Sequence, residues 1–300
     1  MFIKNGNAVQ KQSEESMKGK LCVVSGATSG VGYEAVKAFA AGGANIVLVA
    51  RNEDKAIAVK EEIEQKHSVV VDYFIADFSD LKQVEKAAKA IKDKYQRIDV
   101  LINSVGIHST KRKLNHDGLE MVFCVNHLSI FLFTKLLMNK MIDSSPSRII
   151  QVNSEGHRFN GLKVDDLNWE RRLYTGLRGY GASKTAQLLT VWRMAEDLEG
   201  TGVTINAMHP GEVRTNIGNN NGRLYRWFLH HVTWHFLKDP QIAGQAIYYL
   251  ASAKELSKVS GKFFHLTILE KPAKHALDRE NMKLIWDLSV KMSGLEEKDV

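Results

Sequence analysis

Tyr180 and Lys184 are the pair in this chain best suited to proton chemistry. They stand four residues apart, so on a helix they share one face. An ammonium beside a phenol favours the phenolate and lowers its pKa. A tyrosine tuned in that way can serve as a general acid or base near neutral pH. Taken alone, the same spacing is commonplace on solvated helix faces. Ser154 closes an apolar run and could hydrogen-bond a carbonyl oxygen beside the tyrosine. Asn126 lies inside an otherwise apolar stretch and needs a partner if buried. His231 and His235 are four apart, but no nearby carboxylate or cysteine completes a metal site, so no metal is expected. Cys22 and Cys124 sit in apolar runs and read as buried free thiols, which fits a reducing compartment.

The element that organises the rest begins with the apolar run Leu21 to Ser25, which reads as a buried parallel strand. A turn carrying Gly26, Gly30 and Gly32 follows, and then apolar residues recur at helical spacing up to Phe39. Strand, glycine turn and helix form a place where backbone can approach a pyrophosphate, with free N–H groups and a positive dipole end waiting for it. Arg51 ends the second strand, about twenty residues past the turn. A carboxylate there would bind an adenosine ribose hydroxyl, whereas arginine accommodates a 2′-phosphate. Neither Ala50 nor Asn52 supplies a carboxylate, so NADP(H) is expected over NAD(H), which stays open as a second cofactor.

Further along, strands are expected over 45–50, 69–76, 98–103, 148–153 and 203–208. Helices are expected over 52–66, 79–95 with Ser79 as cap, 117–141 with Asn126 inside it, and 179–199. Strands and helices alternate with short connections, the pattern of a doubly wound parallel sheet of the α/β class. In such a sheet ligands sit at the carboxyl ends of the strands, where Ser25, Arg51, Asp77, Asn103, Ser154 and His209 gather. One Rossmann-type domain over 19–300 is expected, preceded by a flexible arm over 1–18 and interrupted by an insertion over 212–239.

With 300 residues, the chain is long enough for one large α/β domain with a full core. A net charge of +7 suits an anionic cofactor or an acidic lipid surface. The lysines are dispersed and form no basic arm interleaved with aromatics, so no nucleic-acid partner is expected. No bilayer-length apolar run and no signal pattern stand out, so a cytoplasmic protein that touches a membrane surface at most is expected.

The motifs Gly26-x-x-x-Gly30-x-Gly32, Asn103-Ser104-Val105-Gly106, Ser154, Tyr180-x-x-x-Lys184 and Pro210-Gly211 resemble, in order and spacing, those of the short-chain dehydrogenases/reductases. The stretches 125–131, 148–154, 207–211 and 260–264 are most similar to the retinol-dehydrogenase-like branch. The resemblance implies a catalytic tetrad of Asn126, Ser154, Tyr180 and Lys184, with Lys184 lowering the tyrosine pKa and Asn126 anchoring a proton-relaying water. It implies cofactor contacts from Ser29, Val31, Phe78, Gly106, Pro210, Gly211 and Val213, adenine contact from Asp77, a cleft lining from Asn103 and carboxamide contact from Thr215. Ser104 and Asn153 depart from the family's usual asparagine and serine, and Ser25 replaces its usual threonine.

The expected activity is therefore NADP(H)-dependent interconversion of an alcohol and a ketone or aldehyde. The alternatives are a sugar-nucleotide epimerase or dehydratase and a non-catalytic NADP(H)-binding redox sensor. Over 223–238, Leu224, Trp227, Phe228 and His231 share a helical face. That face reads as ordinary core, as a lid over a bulky apolar retinoid, steroid or lipid-like substrate, or as a peripheral membrane contact. A homo-oligomer is compatible with all three.

Overall fold

The structure is a computed structural model, and it describes residues 8–214, 217 and 237–295. Its centre is β1 (Leu21–Ser25), whose Cys22, Val23 and Val24 are wholly buried. A strand covered on both faces needs such a continuous apolar run. After β1 come α1 (Gly30–Ala41), β2 (Asn45–Ala50), α2 (Glu53–Lys66), β3 (Val71–Ile75), α3 (Leu81–Lys94) and β4 (Val100–Asn103). The second half holds α4 (Met121–Phe123), α5 (Ser129–Asp143), β5 (Ser147–Val152), α6 (Gly176–Asp197), β6 (Val203–His209) and α7 (Gln241–Ser252). It ends with β7 (Phe263–His265), β8 (Ile268–Glu270) and α8 (Arg279–Ser293).

The strands form one sheet in the order β3-β2-β1-β4-β5-β6-β7-β8, parallel except for the last pair. The strand order reverses direction between β1 and β4, and a ligand crevice opens at such a switch point. One apolar cluster joins α1 and α7 to one face of the sheet, and another joins α3, α5 and α6 to the other. The expected doubly wound architecture is the one observed.

Several local differences have physical reasons. Asp80, not Ser79, caps α3, accepting from Lys82 N at 2.9 Å and Gln83 N at 3.3 Å. Ser79 is committed instead to Asp77, whose Oδ1 takes both its N–H and its hydroxyl. The expected helix over 117–141 starts at Met121 and contains a π-helical turn, Cys124–Leu128, centred on Asn126. Contrary to expectation, Met121–Asp143 is long and apolar enough to cross a bilayer, but 89% of its most apolar stretch is buried inside the fold, where it forms core.

Residues 8–18, expected as a flexible arm, have no helix or strand yet are tied down. Met17 is buried and its N–H bonds Gly42 O at 2.8 Å, while Gln10 and Lys11 both bond Thr267 in the β7–β8 hairpin. The expected lid helix falls almost wholly in 218–236, outside the described residues. Its flanks are described. Val213 and Lys238 form an isolated parallel bridge, with Lys238 N–H bonding Glu212 O and Arg214 N–H bonding Lys238 O.

Candidate active site

A cleft of about 990 Å³ opens along the carboxyl ends of β1 to β6. At its floor, Gly26 takes a φ of +71° and passes so close to β4 that a Cβ would lie 3.0 Å from the Ser104 carbonyl. A Cβ on Gly32 would lie 2.3 Å from Gly26 O. Gly32 therefore serves the closure of the turn rather than the cleft wall, which Gly26, Ser29, Gly30 and Val31 supply. The small Ser104 belongs to the same close approach, its Cβ 3.2 Å from the Cβ position of Gly32.

The start of α1 differs from those of α2, α3 and α6. Asn52, Asp80 and Thr175 cap theirs with side-chain hydrogen bonds, whereas Ser29 makes none. The first N–H groups of α1 stay available at the cleft, as a phosphate site requires. At the far end Arg51, Lys55 and Asp77 line the wall, with Arg51 Nη1 3.9 Å from Asp77 Oδ2. These features fit a dinucleotide with its pyrophosphate on α1 and its adenosine end beside Arg51.

Phe78, Gly106, Pro210, Gly211 and Val213 also line the cleft. Asn103 does not. It is wholly buried behind β4, where its Nδ2 donates to Thr134 Oγ1 at 2.8 Å and Gln151 Oε1 at 3.1 Å. Ser25 is likewise wholly buried and bonds inward. Thr215 lies outside the described residues.

Ser154, Tyr180 and Lys184 meet on the cleft wall. Ser154 Oγ accepts from Gly156 N at 3.0 Å and hydrogen-bonds the Tyr180 phenol. Gly156 has to be small, because a Cβ there would lie 2.6 Å from the tyrosine ring. Lys184 Nζ donates to Val152 O at 3.0 Å and lies 6.0 Å from the centre of the Tyr180 ring. Burial pushes the lysine down to about 7. Burial also raises the Tyr180 phenol above its ordinary value, with the Ser154 hydrogen bond working the other way. The expected lowering by Lys184 is therefore not what this geometry produces. Desolvation outweighs a cation that is itself half-titrated near neutrality.

Asn126 is wholly buried and finds the partners that a buried amide needs. Its Oδ1 accepts from Ile107 N at 2.8 Å and its Nδ2 donates to Ile107 O at 3.0 Å, clamping the loop that follows β4. Its Nδ2 also reaches Ser183 Oγ at 3.0 Å. The backbone carbonyl turned out by the π-helical turn accepts from Gln187 Nε2 at 2.9 Å. Gln187 Oε1 in turn accepts from Asn153 Nδ2 at 2.7 Å and from Lys184 Nζ at 3.4 Å. Asn153 also holds Lys184 O and, through Oδ1, the N–H of Ser154. Gln187, one helical turn past Lys184, was not singled out in the sequence, although its spacing from Lys184 was visible there.

The other side of Ser154 is charged. Arg158 binds Glu155 Oε2 at 2.7 Å and Glu270 Oε1 at 2.6 Å. His209, at the end of β6, lies 3.2 Å from Glu155 Oε1 and 3.4 Å from Glu270 Oε2. The His209 hydrogen bond is the leading reason that the Glu270 carboxyl lies well below the usual range. His108 completes the wall, its ring edge-on to Tyr180 at 5.7 Å.

Residues 20–224 match the family model of the short chain dehydrogenases. The chain is 37% identical to retinol dehydrogenase 13 of Homo sapiens, over 96% of this chain and 88% of that protein. It is 35% identical to Homo sapiens retinol dehydrogenase 14, over 93% and 88%. Among solved structures, a Mycobacterium Paratuberculosis protein superposes with a TM-score of 0.77 at 24% identity, covering 96% of this chain and 99% of its own. A short chain dehydrogenase from Burkholderia cenocepacia in complex with NADP superposes with a TM-score of 0.65 at 21% identity, covering 83% and 96%. The chain thus belongs to the short-chain dehydrogenase/reductase family, in its retinol-dehydrogenase-like branch, and is an oxidoreductase of alcohols and carbonyls.

Proposed function

We propose that the enzyme uses NADP(H) and interconverts a bulky apolar alcohol, of the retinoid, steroid or lipid type, with its aldehyde or ketone. The observation that carries the chemistry is the meeting of Ser154 and Tyr180 on the wall of a cleft whose other end holds Arg51 and Lys55. NADP(H) bound there supplies or takes up the hydride. Tyr180, held protonated by burial, gives its phenolic proton to the carbonyl oxygen during reduction and regains it in the reverse direction. Ser154 Oγ fixes that oxygen. Lys184 spends one donor on Val152 O and one on Gln187 Oε1, and as an ammonium has a third to offer a ribose. Asn126 keeps the 104–107 loop in place through Ile107.

Cofactor choice rests on Arg51 and Lys55, two cations at the adenosine end. Substrate class rests on the retinol dehydrogenase relatives and on the aromatic content of 223–238. Initial rates with NADPH and NADH, using retinal and a short aldehyde, test both. NADPH and retinal are expected to be preferred. Arg51→Asp should cut the NADPH-to-NADH ratio of kcat/KM by on the order of 10- to 100-fold, the worth of one or two charge-assisted hydrogen bonds. A wild type that prefers NADH, or that turns over the short aldehyde as well as retinal, overturns the corresponding half of the proposal.

A further inference from the structure

Residues 8–12 reach the cleft from behind. Gln10 Oε1 accepts from Thr267 N at 3.1 Å and from Thr267 Oγ1 at 2.8 Å. Lys11 N donates to the same hydroxyl at 2.9 Å. Thr267 is 3% exposed, and its N–H lies between the paired residues His265 and Ile268, outside the β7–β8 ladder. A buried N–H in that position needs a partner from elsewhere. Gln10 supplies it, and Gln10 Nε2 is in turn fixed by donating to Ala8 O at 2.9 Å. Past this contact the segment is fastened along α7. Ser13 Oγ accepts from Ser252 Oγ at 2.8 Å, Lys254 Nζ pairs with Glu15 Oε1 at 3.0 Å, and the Tyr248 hydroxyl donates to Glu15 O. It therefore meets the hairpin as an anchored strap.

The turn that Gln10 holds has a backbone its residues do not favour. Leu266 and Thr267 are the two central residues of the hairpin, and Leu266 takes a φ of +52°. Two-residue hairpins usually place glycine, asparagine or aspartate where φ is positive. A bulky residue there needs support from its surroundings, and such positions gather at functional sites. The same turn reaches the cleft. His265 and Leu266 line it, and Leu266 N donates to His209 O at 2.9 Å. A Cβ on Gly211 would lie 3.1 Å from His265 Nε2 and 3.9 Å from Leu266 Cδ1, so the hairpin backs the Pro210-Gly211 turn.

We infer that Gln10 is a positioning residue for the reaction, acting through Thr267 and Leu266 on the Pro210-Gly211 wall of the cleft. The inference rests on the dinucleotide reading given above. With the pyrophosphate on α1 and the adenosine beside Arg51, the nicotinamide end falls to this wall, across from Ser154 and Tyr180. Gln10 touches neither substrate nor cofactor. It fixes the depth of the wall, while the contacts at α1 and Arg51 stand apart from it. The hairpin uses only the acceptor oxygen of Gln10, so glutamate can replace it and leucine, of similar size, cannot. Gln10 and Thr267 stand 257 residues apart, and no local pattern in the sequence announces the pair.

Full-length wild type, Gln10→Leu and Gln10→Glu are compared at about pH 8, where the glutamate is ionised. Without cofactor, amide hydrogen exchange over 263–270 and 209–213 should be at least about 10-fold faster in Gln10→Leu, with 21–32 unchanged. With the dinucleotide and aldehyde that the wild type prefers, kcat per bound dinucleotide should fall about 10-fold, since a shift of about 1 Å at a reacting centre costs on the order of 100-fold. The dinucleotide Kd should stay within about 3-fold, because α1 and the adenosine end carry it. Gln10→Glu should bring exchange and kcat back to within about 2-fold of wild type. Thr267→Val should lower kcat as Gln10→Leu does, and combining the two should cost little more, because both break one link. Unchanged exchange over 209–213 in Gln10→Leu, an unchanged kcat per bound dinucleotide, no rescue by glutamate, or full additivity of the two substitutions overturns the inference. A wild type that binds neither NADPH nor NADH overturns the dinucleotide reading itself.

Discussion

Ser154 stands between two polar networks of opposite character. On the side of Asn153 the partners are amides and backbone. Asn126, Asn153 and Gln187 are almost wholly buried and linked by bonds of 2.7 to 3.0 Å. Lys184 is the single ionisable group in that set, and burial has weakened its charge. On the side of Glu155 the partners are ions, with Glu155, Arg158 and Glu270 each 15 to 20% exposed. Buried bonds between amides and backbone do not change with salt or pH, and each becomes costly when one partner is removed. Ion pairs near solvent are screened and respond to protons and to other ions. The amide side thus sets the geometry around Tyr180, and the charged side is where conditions can act on it.

The largest effect should come from removing what both networks surround. Tyr180→Phe should lower kcat by a factor on the order of 10² to 10⁴, while cofactor affinity and the melting temperature stay close to wild type. Near-normal turnover of the preferred substrate by this variant would mean that neither network encloses the chemistry.

Next in size is a break in the amide side. Gln187→Ala strands the Asn126 carbonyl and removes an acceptor from Asn153 Nδ2. Leaving buried groups without partners should cost about 2–4 kcal/mol in urea unfolding. A fall in kcat larger than any rise in KM should accompany it, because Lys184 loses a neighbour that orients it. A cost under about 1 kcal/mol with unchanged kcat would erase the distinction between the two sides.

Acid should act through His157, which lies between Glu155 and Arg158 in the chain. His157 is wholly buried, with Nδ1 against Ser154 O at 2.8 Å and Nε2 accepting from Ala273 N at 3.1 Å. Burial holds it down to about 4. Its pKa is lower folded than unfolded, so between pH 6.5 and 4 the unfolded chain binds the extra proton and stability falls as pH falls. At pH 5 this group alone should cost about 2 kcal/mol relative to pH 8. Denaturant melts of wild type and His157→Gln at both pH values measure it, and parallel slopes would remove His157 from the account.

The amide side shows how far the sequence could be read. Ser154, Tyr180 and Lys184 were legible because short motifs carry them in a set order. The partners of Asn153 and Asn126 were not, since an amide announces a need for hydrogen bonds without naming who meets it. Asn103 was misplaced because residues at a strand end alternate between cleft and core, and one step along the strand decides which. Ser79 and Asp80 are both good helix caps, and only the bond from Ser79 to Asp77 settled which one serves. The charged side was less legible still. Glu155, His209 and Glu270 meet only once β5 to β8 lie in sheet order.

The bridge between Val213 and Lys238 makes the intervening stretch a cassette. Its two ends are stapled side by side at the rim of the sheet, so the framework registers where the excursion leaves and returns, not how long it runs or what it contains. Closing a longer loop costs little more than closing a shorter one. Exchanging 218–236 for the matching stretch of a relative, with Thr215 and Ile217 kept, should therefore transplant what the enzyme accepts.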